Sequence, residues 1–399
     1  MLLSLAVYTS TSLILYYLGR HVSAREAKMR SNGQRTARAP LFSWEIIASV
    51  VLLVFVFGLR YDTGNDYLQY YCNYRYYQEF GMFSRVNFEP VFRWITGLFA
   101  SSGLHYAAYF CFWVLLQVCL VYFSLRDRKF LLPWLWALLI MGPYCNNWLS
   151  FIRQWTVALI FLASIPLLEQ RKFIPFAVIT LLCMTLHKSA WLLLAGCAIP
   201  FMTKFDGHRK AFLLVFIVCV LLGFKPVWLS GLSYCANVVD LLGYSSYHVW
   251  LDPLLEKDFA LKSIGPLRMI KLLLGVIVIW YYPTVKRQFP GDRLLPIYYS
   301  LAFVAVCYEN LTLNTSFFLQ RPSDYLFIFT LIMVAYVVHV FLQKRCYWKM
   351  TMVLMCVCAY VPITFAKLHY WDPGDQSRIY YHAVYAVDDY LDKDYQGIK

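Results

Sequence analysis

Long apolar runs separated by short polar connections recur along the whole chain. A helix needs roughly 20 predominantly apolar residues to cross a bilayer. Twelve segments meet or approach that length, near 2–19, 42–59, 104–124, 130–148, 150–168, 173–187, 189–203, 210–226, 266–283, 293–312, 316–342 and 350–366. The pattern predicts an all-α polytopic integral membrane protein with about 12 transmembrane helices. The runs 173–187 and 189–203 are short and read equally as two segments, one long helix or a re-entrant hairpin. A single helix there would reverse the orientation of every later segment.

The polar positions between the runs give the sidedness. Cytoplasmic loops hold the Lys and Arg surplus of a membrane protein. The connection after the first run carries Arg20, Arg25, Lys28, Arg30, Arg35 and Arg38, and alternation puts the clusters at 126–129, 171–172, 204–210, 286–293 and 344–349 on the same side. That side then carries the chain's whole net charge of +14, the opposite side is neutral, and both termini lie outside. The composition fits: 60% of residues are hydrophobic and 15% charged, against roughly 45–50% and 25% for soluble domains. A soluble enzyme and a disordered chain are excluded, and sidedness accounts for the basic surplus without nucleic acid as a partner. The first run lacks a basic leader and a small-residue cleavage pattern, so it reads as a span and not a removable signal. Of 12 cysteines only Cys72 and Cys235 fall in outer loops. A disulfide between them is admissible in an oxidising compartment, and no CxxC or Cys/His spacing suggests a metal.

Non-spanning residues concentrate on the outer side, in loops at about 60–103 and 227–265 and in an acidic, tyrosine-rich tail at 367–399, beyond a single membrane domain 1–366. Phe88 to Ala100 has the pattern of a short amphipathic helix lying along the outer interface, with Pro90 in its first turn and Glu89 at its positive end. A second such helix is expected over 250–262. The tyrosines at 61, 67, 70, 71, 74, 76 and 77 read as an interfacial belt. No repeat of fixed period is visible.

Ionisable residues in or beside spans are costly, on the order of 2.5–3.5 kcal/mol at mid-bilayer. Arg60, Asp66, Glu89, Arg153, His187, Lys188, Glu309, Arg321 and Asp324 all fall at or near the outer ends of their spans, a convergence independent of the charge count. Each also has a structural reading. Arg60 is a cation at a helix C-terminus, and Asp66, after the turn at Gly64, is a helix cap beside Tyr67 and Tyr70. Arg153, with Gln154, is a snorkelling interfacial cation; His187, beside Lys188, is a core histidine; Arg321 and Asp324 pair with each other. Glu45 and His339 sit toward the inner face and read as structural. Arginine binds phosphate bidentately and keeps its charge, so Arg60, Arg153 and Arg321 together suit a lipid-linked diphosphate, and the aromatic residues suit sugars. The only Asp-x-Asp match is Asp392–Asp394 in the tail, so no metal or other cofactor is expected.

Arg60–Tyr70 (RYDTGNDYLQY), Phe88–Phe92 (FEPVF), Ile152–Ser164 (IRQWTVALIFLAS), the basic pair after that span, Leu186–Ala190 (LHKSA) and Arg321 follow one another in an order that resembles the EpsG-like family of exopolysaccharide and O-antigen polymerases, functional relatives of the Wzy polymerases. The likeness spans about residues 40–340, with little beyond Tyr325; Pro322 departs from the aromatic residue the family commonly places after the arginine. The resemblance implies a bacterial inner-membrane glycosyltransferase that joins undecaprenyl-diphosphate-linked oligosaccharide repeat units on the periplasmic face, with a chain-length regulator as a partner. In that frame Arg60, Arg153 and Arg321 hold the diphosphate. Tyr67, Gln154, Lys188 and Asp324 line the substrate, and Asp66, Glu89 and His187 are the candidates to take the acceptor proton. A flippase of the same lipid-linked sugars, or a ligase to another lipid acceptor, are the alternatives.

Overall fold

The structure is a computed structural model that describes residues 1–31, 42–83, 88–224, 228, 265–315, 317–370 and 378–384. The helix expected at 250–262, Cys235, Asp392–Asp394 and most of the tail lie outside these. The chain forms two units, one of residues 1–197 and 338–399, the other of residues 198–337.

The first unit begins with α1 (Leu2–Ser31) and α2 (Trp44–Leu53), which runs into a π-helical turn Val54–Gly58. There follow β1 (Arg60–Tyr61), α3 (Tyr67–Phe80), α4 (Pro90–Ser101), α5 (Tyr106–Ser124), α6 (Leu132–Met141), α7 (Cys145–Ser150), α8 (Ile152–Glu169), α9 (Phe173–Cys183) and a 3₁₀ stretch Lys188–Ala198. The second unit holds α10 (Ile199–Met202), α11 (Arg209–Phe224), α12 (Pro266–Gln288), α13 (Leu295–Leu311), α14 (Phe317–Gln320), a 3₁₀ turn Arg321–Tyr325 and α15 (Phe327–Gln343), inside which the boundary falls. The chain then adds α16 (Tyr347–Cys358), α17 (Tyr360–Tyr370) and β2 (His382–Ala383) to the first unit. The two strands pair antiparallel, Arg60 with Ala383 and Tyr61 with His382.

Among the described residues five helical segments are long and apolar enough to cross a membrane: Leu2–Met29, Tyr106–Ser124, Ile152–Glu169, Pro266–Gln288 and Tyr347–Tyr370. Trp44–Gly58, Lys129–Met141, Phe173–Cys183 and Phe327–Gln343 are apolar but shorter. The ambiguous stretch 173–203 is not one helix, because α9 stops at Cys183 and a turn at 184–187 precedes the 3₁₀ stretch.

In the first unit α1 lies against α2 and α6, and α5 against α8 and the π turn. Gly58 allows that last approach: a Cβ there would sit 2.8 Å from the Cys111 Cα. Helix C-termini leave carbonyls without intrahelical donors. Here side chains supply them, with Arg60 Nη1 donating to the Phe57 carbonyl at 2.5 Å and the Tyr381 hydroxyl to that of Val56 at 3.0 Å.

Five of the seven tyrosines expected at the membrane interface are instead part of a core, and Tyr76 and Tyr77 are half-buried against it. Tyr61, Tyr67, Tyr70, Tyr71 and Tyr74 are buried with Phe88, Phe92, Tyr106, Tyr109, Phe110 and Trp113 from α4, α5 and the segment before α4. Positions 67, 70, 71 and 74 repeat at helical spacing and so share one face of α3. Their hydroxyls find backbone acceptors where these are shown: Tyr67 donates to the Arg60 carbonyl at 3.1 Å and Tyr74 to that of Leu104 at 2.7 Å. The amphipathic helix expected over 88–100 is present as α4, which buries Phe92, Thr96, Gly97 and Ala100 and exposes Trp94 and Leu98.

In the second unit Tyr282 stacks on Tyr299 at 3.6 Å and donates its hydroxyl to Asp206 at 2.5 Å, where Lys286 also reaches the carboxylate at 2.8 Å. On the first turns of α12, Lys271 meets Glu309 at 2.7 Å and Arg268 donates to the Asn310 side-chain oxygen at 2.5 Å.

Candidate active site

The loop from Arg60 to Asp66 is fixed from below. Arg60 is buried, 2% exposed, and its three nitrogens all go to backbone carbonyls, of Phe57 (2.5 Å), Leu149 (3.0 Å) and Thr63 (3.1 Å). The rings of Phe110 and Tyr67 lie 5.2 and 5.8 Å from its guanidinium carbon. Three of the five N–H groups of this guanidinium, expected to face a diphosphate, are thus given to the chain itself. Tyr67 is likewise enclosed, stacked on Phe110 at 4.4 Å. Gly64 has a φ of +104°, and a Cβ there would fall 2.7 Å from the Leu149 oxygen. The turn therefore presses directly on the end of α7, and the Asn65 N–H donates to Ser150 Oγ at 2.8 Å. Replacing Arg60 with lysine is expected to lower the melting temperature, because a single ammonium cannot reach three carbonyls. Turnover per folded molecule should fall as well, because the Asp66 loop loses part of its hold on α7, read by thermal unfolding and activity on the same preparation.

Above this loop, residues far apart in sequence meet around one carboxylate. Glu89 caps α4 in extended conformation with Pro90 next to it, and the Val91 N–H donates to the Thr185 carbonyl at 3.0 Å, tying α4 to the turn before Lys188. The carboxylate is 5% exposed. Oε2 accepts from Arg153 Nη1, in the first turn of α8. Oε1 accepts the Lys188 N–H at 3.0 Å and lies 3.3 Å from His187 Nδ1. The Arg153 guanidinium carbon lies 4.7, 5.3 and 6.0 Å from the ring centroids of Phe88, Phe92 and Tyr70. Its Nε is buried and donates to nothing among the described residues.

Burial alone would raise the Glu89 carboxyl, but the His187 ring, the Arg153 guanidinium and the Lys188 N–H outweigh it and hold it down at about 2. A carboxylate that acid is a weak general base near neutral pH. Its task in this arrangement is to orient Arg153 and to offset a cation at a helix N-terminus, where the dipole disfavours it. A lowered folded-state pKa gives stability that is fully present above the unfolded value and lost as pH falls through the folded one. The stability difference between wild type and Glu89→Gln is therefore expected to be constant above about pH 5 and to shrink between the ordinary value of 4.5 and about 2, as measured by unfolding across that range.

Asp66 opens α3 without a side-chain cap hydrogen bond. It sits four residues before Tyr70 and so shares the face of α3 whose ring approaches Arg153. Gln154 is buried next to Arg153, and the Lys188 side chain is exposed. The start of α8 has a support that the sequence reading overlooked. The Gln117 side-chain nitrogen, from the middle of α5, donates to the Ile152 carbonyl and to Thr156 Oγ1, both at 3.0 Å, and its oxygen accepts from Trp148 Nε1 at 2.9 Å. A lone amide inside an apolar span is a signal for such a role.

The EpsG family model matches residues 44–380. The chain belongs to the EpsG family. No curated protein and no solved structure matches it. The EpsG match covers every residue of the Glu89 cluster and runs past Tyr325, beyond the reach of the short motifs. Membership makes the chain a polysaccharide-polymerase-like, glycosyltransferase-type protein of polysaccharide biosynthesis, and the apolar helices make it a multi-pass membrane protein.

Within this EpsG chain the structure brings Asp66, Glu89, Arg153, Gln154, His187 and Lys188 into one unit, together with Arg60 and Tyr67. Arg321 and Asp324 belong to the other unit, in the 3₁₀ turn ahead of α15, where Asp324 is buried and Arg321 half-buried. The Gln320 amide holds that turn to the carbonyls of Thr315 (3.0 Å) and Leu313 (3.2 Å).

Proposed function

We propose that this protein is a polysaccharide polymerase of the bacterial inner membrane that joins undecaprenyl-diphosphate-linked oligosaccharide repeat units on the periplasmic face. About twelve spans and the outward orientation given by the basic inner loops belong to the same reading. The observation that carries it is Arg153, a guanidinium fixed between Glu89 and three aromatic rings and 14% exposed. Such a group suits the oxygen of a diphosphate leaving group. Its orientation is set in advance, so little reorganisation is needed as charge develops.

In the reaction the acceptor hydroxyl oxygen bonds to the anomeric carbon of the donor sugar while the bond from that carbon to the diphosphate oxygen breaks. Undecaprenyl diphosphate leaves with the electron pair and the hydroxyl proton passes to a base. Asp66 is our choice for that base, since Glu89 is committed to Arg153 and His187 to Glu89. Lys188 is assigned to a further sugar contact, and Arg60 to holding the Asp66 loop. Catalysis then rests on fixed cations without a metal, and a separate regulator sets chain length.

The test is purified protein in detergent with a defined undecaprenyl-diphosphate repeat unit, with and without EDTA, its products resolved by gel and mass spectrometry. A ladder at repeat-unit spacing that survives EDTA is the expected result. Movement of the substrate across vesicle membranes with no ladder would replace this reading with a transporter.

A further inference from the structure

The segment after α17 returns, more than 300 residues later in sequence, to the loop that carries Asp66. β2 pairs with β1, and the Val384 N–H donates to the Leu59 carbonyl at 2.9 Å. The Gly64 N–H donates to the Arg378 carbonyl at 2.6 Å, and Thr63 Oγ1 donates to that of Tyr380 at 3.0 Å. Arg378 Nη1 lies 2.6 Å from Asp62 Oδ1. The opposite side of the same loop rests on α7, through Gly64 against the Leu149 carbonyl and Asn65 against Ser150. Two residues beyond Ser150, α8 begins and presents Arg153. The loop is therefore clamped between the C-terminal segment and the element that leads into the guanidinium.

Asp62 at the middle of this clamp has a φ of +42°. A non-glycine residue adopts that conformation only at a cost and persists in it when its surroundings hold it there. The surroundings here are Arg378 and the hydrogen bonds on either side. The bonds named above all end on the loop and the residues next to it.

We propose that the strap Arg378–Val384 is a positioning element of the active site, and that the Arg378–Asp62 ion pair sets the register of the Asp66 loop against α7 and α8. The proposal rests on the polymerase reading above. A misplacement of about 1 Å can lower turnover up to roughly 100-fold, and the strap prevents such a shift.

The test uses full-length protein carrying Arg378→Ala, Arg378→Lys, Asp62→Asn or the Ala/Asn pair in the repeat-unit assay. Arg378→Ala is expected to lower kcat roughly 10- to 100-fold with KM within about twofold of wild type. Arg378→Lys recovers most of the loss, and the double variant is no worse than either single one, as for residues that act as a unit. Hydrogen exchange at the Gly64 and Val384 amides quickens in Arg378→Ala while the melting temperature stays close to wild type. Should Arg378→Ala fail to fold, Thr63→Val, which removes the bond to Tyr380, carries the same expectation. Wild-type turnover in Arg378→Ala, equal losses in the Ala and Lys variants, or losses that multiply in the double variant would each overturn the proposal. A wild-type protein that makes no ladder overturns the polymerase reading instead, whereas a ladder indifferent to these variants removes the strap alone.

Discussion

Arg153→Ala should retain between about one hundredth and one thousandth of wild-type turnover, the loss seen when one preorganised donor to a developing anion is removed. The effect should appear mainly in kcat, because a contact that strengthens as the diphosphate leaves contributes to the transition state more than to binding. Arg153→Lys is expected to recover little. The guanidinium donates Nη1 to Glu89 and lies among the Phe88, Phe92 and Tyr70 rings, and one ammonium cannot reproduce that planar fork. Single-turnover coupling of a fixed lipid-linked donor reads the result without the delay of product release. Turnover within about threefold of wild type would remove Arg153 from the leaving-group role.

The parts of this site that could be read from sequence are those with a local signature. Polar residues ending apolar runs pointed to Asp66, Arg153 and His187, and Pro90 after Glu89 marked the start of α4. The charged residues of the second unit, Arg321 and Asp324, were found the same way, but Arg268 and Lys271, on the first turns of α12, were not among the residues singled out. The tyrosines were visible as an excess and assigned to the wrong environment. Their spacing at 67, 70, 71 and 74 already described a single helix face, and that period outweighs composition when deciding between belt and core.

Other features had no local trace. Glu89 and Arg153 are 64 residues apart, and no spacing rule joins an acid and a base at that distance. The π turn Val54–Gly58 has its Val56 and Phe57 carbonyls met by Tyr381 and Arg60, the first of them more than 300 residues away. The strap consists of a two-residue strand and backbone hydrogen bonds to a turn, with no apolar run or period to announce it. Arg60 shows the opposite difficulty: a cation just past an apolar run resembles a ligand-binding group, and its burial and three carbonyl acceptors have no trace in the sequence.

Glu89→Ala should be among the most destabilising single changes in the chain. It leaves the Arg153 cation, 14% exposed, beside apolar rings and at a helix N-terminus without its counter-charge, and it strips the Lys188 N–H of its acceptor. Breaking a buried pair by removing one partner costs about 3–5 kcal/mol, chiefly from the charge left behind. That cost is the pair's asymmetry and not its net worth, so removing both partners should behave differently. Glu89→Leu combined with Arg153→Met is expected to recover a large part of the stability, since similar-sized apolar groups often replace a buried ion pair at little cost. Turnover should stay at the level of Arg153→Met alone. Thermal unfolding of the two single variants and the double variant, beside the repeat-unit assay, separates the two quantities. If Glu89→Ala melts with wild type, the carboxylate is not what holds Arg153. If the double variant recovers stability without activity, the ion pair is retained for what Arg153 does to its ligand.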